Sequence, residues 1–495
     1  MGRGESVHQE FLRRLGAIPI HGVGLSVDVH APDFASLRRN LLERQVPPAY
    51  FEVFCSTAKA LESVRKEAGE GLLTYHGEGL WITHPGVAES QSFQRAVHEA
   101  GEHLQILQSA WLNHECAAKF LAGYYYGTYL PPLYTRQSAE VIADNTTVLQ
   151  RLLDDQCRTA NGSTPLVLLE MPPLTYFVAG TVSIPTFYQV VCDQSPCGLV
   201  LDVGHLWTVF RYTGAYRVLT LPQFVEAFLN AFPMDRVVEI HVAGLDIHPS
   251  HRARTTQLVG QTDGTALPAW TDAHAVPIPP VLFEMLDQIL SHPQLTSLRG
   301  MALEVDAKPT ELIVEEFAAF SQRYASVFPR ISGSETMGCG SIESPVQEPV
   351  HAASATESLE EAYDRYVRVV LGKAEPTGLE WSQNPGCAQD LDLYRFVYLP
   401  YEILHWGGDL ADMFVASHRR LRERGISLEG FVAFWFRDPL PLVEPYDFFL
   451  LKVERFVDFI REVAPDLEAL AESEAEGLRQ AYCLVNEPTP SLQVS

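Results

Sequence analysis

Eight short apolar runs, separated by stretches of helical periodicity, constrain this chain more than any other feature. They occupy residues 20–29, 50–55, 72–80, 110–116, 166–171, 198–206, 237–244 and 300–306. A repeated strand–helix order implies parallel strands, and eight such units can close into a barrel. Near the ends of these runs stand Glu52, His76, His114, Glu170, Asp202, His205, His241 and Glu304. In a TIM (β/α)8 barrel the C-terminal strand ends form one mouth, where ligands and catalytic groups gather. The sequence therefore predicts an α/β fold with a barrel over 18–330 and a mainly helical C-terminal domain. Helices are expected over 33–44, 91–108, 138–157 and 221–232.

The strand ends carry the chemistry. LVLLEMPP, from residue 166, places Glu170 after four aliphatic residues, and LVLDVGHL, from residue 199, repeats the device with Asp202 and adds His205 on the turn. A buried carboxylate must be paired, protonated or bound to a cation, because a bare charge is costly to desolvate. These motifs contain almost no Lys or Arg, so a metal ion is the economical partner. Histidines and carboxylates without cysteine form a nitrogen–oxygen donor set suited to iron, manganese or zinc. His76 precedes Gly77 and Gly79, which free space above the ring. Strict alternation turns His114 inward with Leu112 and Cys116, and sends Glu115 towards helices or solvent. The same alternation puts Glu304 and Asp306 on one face. A long insertion over 245–299 carries Asp246, His248, His251, Asp272 and His274, and is expected to fold over the mouth as a lid.

Residues 331–357 are rich in Gly, Ser, Pro and Ala and read as a flexible linker. The domain over 358–495 follows, with amphipathic helices expected over 359–371, 411–424 and 446–463. Its aromatic stretch 394–406 reads as core. The formal charge of −26, from 62 acidic and 36 basic residues, argues against a nucleic-acid partner. Eight cysteines are too sparse for a disulfide scaffold and read as reduced core residues. No run has the roughly 18 apolar residues of a membrane helix, and the opening segment lacks the apolar core of a signal peptide. A cytoplasmic protein with no membrane contact is expected.

Taken in order, the motifs resemble the multinuclear non-haem iron-dependent oxidative enzymes, a TIM-barrel family that includes the methanobactin-biosynthesis iron enzyme. The counterparts are GVGL (22–25), HGEGL (76–80), NHE (113–115), LLEM (168–171), LDVGH (201–205), EIHVAG (239–244), TDAHAVPIP (271–279) and LEVD (303–306). The resemblance implies iron ligands at His76, His114, Glu170, Asp202, His241, Asp272, His274 and Glu304. His205, where the family commonly has Asn, is a further candidate. Asn113, Leu245 and Met171 depart from the family pattern, which favours two irons over three. The resemblance implies two or three Fe ions in a mixed-valent Fe(II)/Fe(III) state, with O2 as cosubstrate. It further implies oxidative modification of a ribosomally made precursor peptide, most often at cysteine. Many such enzymes use a separate peptide-presenting protein, a role the C-terminal domain could fill by fusion. Two other readings compete: a zinc or manganese barrel isomerase or hydrolase of the xylose-isomerase or endonuclease type, and a non-catalytic peptide-binding protein.

Overall fold

The computed structural model describes residues 3–29, 33–157, 164–245, 274–306, 308–328, 357–375, 387–442 and 447–486. All of the expected linker but residue 357, residues 246–273 of the expected lid, and with them Asp246, His248, His251 and Asp272, lie outside these residues.

Strands β1 (Gly22–Val27), β2 (Tyr50–Phe54), β3 (Leu72–His76), β4 (Trp111–Glu115), β7 (Leu166–Glu170), β8 (Gly198–Asp202), β9 (Val237–Val242) and β10 (Gly300–Glu304) form a closed barrel. They run in the order β1-β10-β9-β8-β7-β4-β3-β2, every pair parallel. The fold is the expected TIM barrel. Every residue of β4, β7, β8, β9 and β10 is buried, because side chains fill the interior while helices cover the outside. That two-sided burial is what made the strands readable as continuous apolar runs. The covering helices start on side-chain caps: Thr57, Ser90, Thr135, Ser183 and Asp202 each accept a backbone N–H from the first turn.

A helix with no counterpart in the sequence reading, Arg3–Leu15, sits against the start of the barrel. Phe11, Leu15 and Ile18 pack with Trp111, Leu166, Leu168, Val200, Val238, Ala302 and Tyr50 in one buried cluster. Tyr50 fits inside the barrel because glycines on β1 and β10 leave it room. A Cβ on Gly24 would collide with its ring, and one on Gly300 would lie 2.7 Å from its hydroxyl oxygen. These glycines are needed for close approach rather than for a turn.

Register then assembles the mouth. Ser26 aligns with both Glu304 and Glu52, Glu115 with Glu170, and Asp202 with His241. The β8–β9 register shifts between Leu199 and Val200, after which Glu239 and His241 follow the inward alternation.

The described residues divide into two compact units. The barrel unit takes those within Met1–Ala117, Pro131–Ala362 and Thr377–Cys387; the second takes Ala118–Leu130, Tyr363–Pro376 and Ala388–Ser495. The second unit is therefore not contiguous in sequence. It borrows an antiparallel hairpin, β5 (Ala118–Leu121) and β6 (Tyr124–Leu130), from between two barrel strands. Inside this unit Trp435 Nε1 donates to the Tyr125 carbonyl at 2.9 Å, and the Leu440 N–H donates to the Gly123 carbonyl at 2.7 Å. The Thr128 N–H donates to Glu402 Oε1 at 2.7 Å. Helix Phe448–Val463 buries Val453, Phe456 and Ile460 on one face, as its periodicity predicts. The segment 411–424 breaks into Leu410–Met413 and Val415–Glu423. In the stretch 394–406, Tyr394 and Tyr398 are core but Phe396 and Trp406 are exposed.

Among the described residues no helix is long and apolar enough to cross a membrane. Cys55, Cys116, Cys157, Cys192, Cys197 and Cys483 are free thiols.

Candidate metal centre

At the C-terminal ends of the strands, Glu170, Asp202, His241 and Glu304 converge. Each offers a ligand atom within 4.8 Å of the others, and all four are buried. Glu170 is the hub. Its Oε1 lies 3.5 Å from His241 Nδ1 and 3.7 Å from His205 Nδ1, and its Oε2 lies 3.4 Å from His76 Nε2. Asn113 Nδ2 donates to Glu170 Oε2 at 2.8 Å. Asn113, one of the departures from the family pattern, thus steadies a carboxylate.

Two further groups adjoin the first. Glu115 joins Glu170 and His205, while Glu52 and Glu239 join His241. Glu115 is buried within the barrel mouth, which corrects the expectation that it would meet helices or solvent. The inward residues of β4 are Trp111, Asn113 and Glu115. His114 takes the other parity, and its Nε2 accepts the Leu80 N–H at 3.2 Å. It is buried near His76 but belongs to none of the three groups. His205 is set by the start of its own helix. Its backbone N–H caps onto Asp202 Oδ1 at 2.7 Å, and its Nδ1 meets the Met171 carbonyl at 2.7 Å. His274 reaches the rim, with Nε2 3.7 Å from Glu304 Oε2 and Nδ1 3.1 Å from Asp306 Oδ2. Leu245, where the resemblance expects a second His, is buried.

Glu239, which opens the motif EIHVAG, and Tyr50, which opens the second apolar run, have no role in the sequence reading, and Glu52 appeared there merely as a strand-end carboxylate. Glu239 could have been found by the argument that found Glu170, since it interrupts the apolar run VVEIHV. Nothing in the sequence points Tyr50 at it; the 2.5 Å bond from the Tyr50 hydroxyl to Glu239 Oε1 spans 189 residues.

The electrostatics are those of a site with too many carboxylates for its protein cations. Burial alone would raise Glu170, but His241 and His76 outweigh it and hold the carboxyl well below its usual range. Burial pushes Glu304 up to about 8 despite His274 and His241. Burial and the charge of Glu52 push Glu239 up to about 7. Burial opposes the charge on His241, yet Glu52, Glu170 and Glu304 raise it well above the ordinary imidazole value. His114 falls to about 4, through burial and then the charge of His76. Six carboxylates are buried in the three groups, and the charges that lower Glu52, Glu170, Glu239 and Glu304 come from His76, His205, His241 and His274, so the set fits a divalent or trivalent cation.

Fold and site together define a TIM barrel with a buried nitrogen–oxygen donor set at its C-terminal mouth. The family described as "RiPP precursor modification enzyme MbnB/TglH/ChrH" matches residues 34–323. That is more than half of the chain, and the chain belongs to this family. It is similar to a UPF0276 protein of Paraburkholderia phytofirmans, 24% identical over 175 residues (35% of this chain, 49% of that protein). A UPF0276 protein of Caulobacter vibrioides is 25% identical over 230 residues (46% and 72%). UPF0276 protein VP3015 of Vibrio parahaemolyticus is 23% identical over 262 residues (52% and 77%). The match thus spans about half the length of the Paraburkholderia protein. Among solved structures, endonuclease IV from Thermus thermophilus is similar with a TM-score of 0.35 and 16% identity, over 62% of this chain and 99% of that one. D-allulose 3-epimerase from Methylomonas sp. also gives a TM-score of 0.35, at 14% identity over 62% and 99%.

Proposed function

We propose that this protein is an O2-dependent multinuclear non-haem iron enzyme that oxidatively modifies a ribosomally made peptide at a cysteine residue. The observation that carries this reading is the convergence of Glu170, Asp202, His241 and Glu304 in a buried group, flanked by His76 and His205. Membership of a family of precursor-peptide modification enzymes supports a peptide substrate. In this reading Glu170, Asp202, His241 and Glu304 hold one iron. His76, His205, Asp272 and His274 complete a second position, and a third where the ligand count allows; His114 joins them through Nδ1, which makes no hydrogen bond among the described residues. Iron bound there would supply one-electron chemistry with O2 and a Lewis acid for a substrate thiolate.

The protein's own contribution is exclusion of water and fixed geometry. The donor side chains stand on strand ends of a packed barrel, so their positions are set before substrate arrives. Carboxylates favour the ferric state and imidazoles accommodate the ferrous one, which suits a mixed-valent pair. The second unit binds the precursor peptide, as a fused counterpart of a separate presenting protein. A reducing cytoplasm suits both ferrous iron and the free thiols.

The deciding experiment is metal content per chain on anaerobically purified protein, with iron Mössbauer spectroscopy. Two or three irons with a mixed-valent signal, and O2 uptake on adding a Cys-containing precursor peptide, are expected. Stoichiometric zinc or manganese that persists after anaerobic iron reconstitution would replace this reading with the isomerase or hydrolase one. Photo-crosslinks from the peptide should map to both units; crosslinks confined to the barrel would remove the presenting role.

A further inference from the structure

His241 turns its two ring nitrogens towards different neighbours. Nδ1 lies 3.5 Å from Glu170 Oε1 and 3.7 Å from Glu304 Oε1. Nε2 lies 3.0 Å from Glu52 Oε1 and 3.6 Å from Glu239 Oε2. All three of His241, Glu52 and Glu239 are fully buried. The Glu52 and Glu239 carboxylates are themselves anchored. Ser26 Oγ donates to Glu52 Oε1 at 3.2 Å, and the Tyr50 hydroxyl donates to Glu239 Oε1 at 2.5 Å.

A neutral imidazole has one lone pair and one N–H, so it cannot coordinate a metal through both nitrogens. On the Nδ1 side stand three carboxylates in one group, Glu170, Asp202 and Glu304. The Nε2 side has two, each already tied to a hydroxyl. We infer that Glu52 is a positioning residue that receives the Nε2–H of His241 when Nδ1 holds a metal, and so directs the Nδ1 lone pair at Glu170, Asp202 and Glu304. Carboxylate–histidine–metal chains of this kind fix both ring orientation and tautomer. Glu239, pinned by Tyr50 in the space that Gly24 and Gly300 leave, walls the same side of the ring and keeps it from turning. The inference rests on the metal-centre reading above, but not on iron, O2 or the peptide. Nε2 lies within reach of Glu52 Oε1 at 3.0 Å but is not aligned on it as a hydrogen bond. The rival is a second cation between Glu52, Glu239 and His241, since Glu52 Oε2, Glu239 Oε2 and both ring nitrogens of His241 make no hydrogen bond among the described residues.

The test uses zinc as a diamagnetic probe on the full chain labelled with 15N-histidine. Two-bond proton–nitrogen spectra read which ring nitrogen of His241 is metal-bound, with His241→Ala for assignment, and chelator competition reads affinity. Zinc-loaded protein should show His241 bound through Nδ1 with hydrogen on Nε2. Glu52→Ala should weaken zinc binding by about 10–100-fold while leaving zinc per chain at saturation unchanged. Glu52→Gln should keep the tautomer, because its amide oxygen still accepts, and should recover most of the affinity. Coordination through Nε2, loss of one zinc equivalent in Glu52→Ala, or Glu52→Ala binding like the parent would each overturn the assignment. Should Glu52→Ala not fold, the tautomer in the parent and in Glu52→Gln decides. A parent chain that takes up neither zinc nor iron would instead sink the metal centre itself.

Discussion

Glu170 links the histidines of the site to one another. His76, His205, His241 and Asn113 all converge on its two oxygens, between 2.8 and 3.7 Å. Glu170→Ala should therefore weaken metal binding by more than the roughly 100-fold upper range of an outer-sphere loss, as equilibrium chelator competition would measure. A variant that keeps parental affinity would show that the group is held for structure alone. Gly24 gives a second test, on packing. Gly24→Val places side-chain atoms where the Tyr50 ring lies, so Tyr50 must leave Glu239 or the strands must part. Overpacking of this kind costs about 1–3 kcal/mol, read as a lower urea midpoint with an unchanged slope. Unchanged stability would mean the ring has room to move. The strand-end carboxylates and histidines were legible at this scale because a charged residue closing an apolar run needs a reason. The parity of β4 was not. Alternation fixes which residues share a face, and not which face is inside, so His114 and Glu115 exchanged their expected faces.

Strands with both faces buried announce themselves as apolar runs, and the helices between them by cap and periodicity. The hairpin of β5 and β6 gives no such signal. Its two-residue turn is Ala122–Gly123, with φ of 48° and 83°. Both positions require positive φ, and Ala there hides the Asn-Gly pattern by which such turns are usually recognised. Glu402 shows what the hairpin is for within its unit. This carboxyl is buried, accepts the Thr128 N–H, and is pushed up from 4.5 to about 7 by burial. A group that binds its proton more tightly when folded adds stability that is fully present below about pH 4.5. That stability is lost as pH rises through about 7. Glu402→Gln stays neutral and still accepts the amide proton. Its melting temperature should match the parent at pH 4.5 and exceed it at pH 8 by several degrees, corresponding to at most about 3 kcal/mol. An equal gap at both pH values would place the ionisation elsewhere.

Across the whole molecule, the second unit and the barrel are interleaved in sequence, since residues 118–130 lie between β4 and β7 but pack with residues beyond 388. Cutting the chain at the expected linker, near residue 340, leaves the hairpin without Trp435, Glu402 and Leu440. The truncated protein should be less soluble and melt at a lower temperature than the full chain, measured by expression yield and thermal scan. A soluble truncation with parental melting would make the second unit an independent appendage. The sequence by itself determined the barrel, its eight strands and most of the residues at its mouth. It could do so because burial on both faces and the cost of a bare buried charge act locally along the chain. Tertiary structure alone decided that Tyr50 reaches Glu239, that Glu52 faces His241, and that Asn113 braces Glu170. It also gave the hairpin to the second unit. Those contacts join residues from 57 to more than 300 positions apart, through register and ring placement that no local pattern encodes.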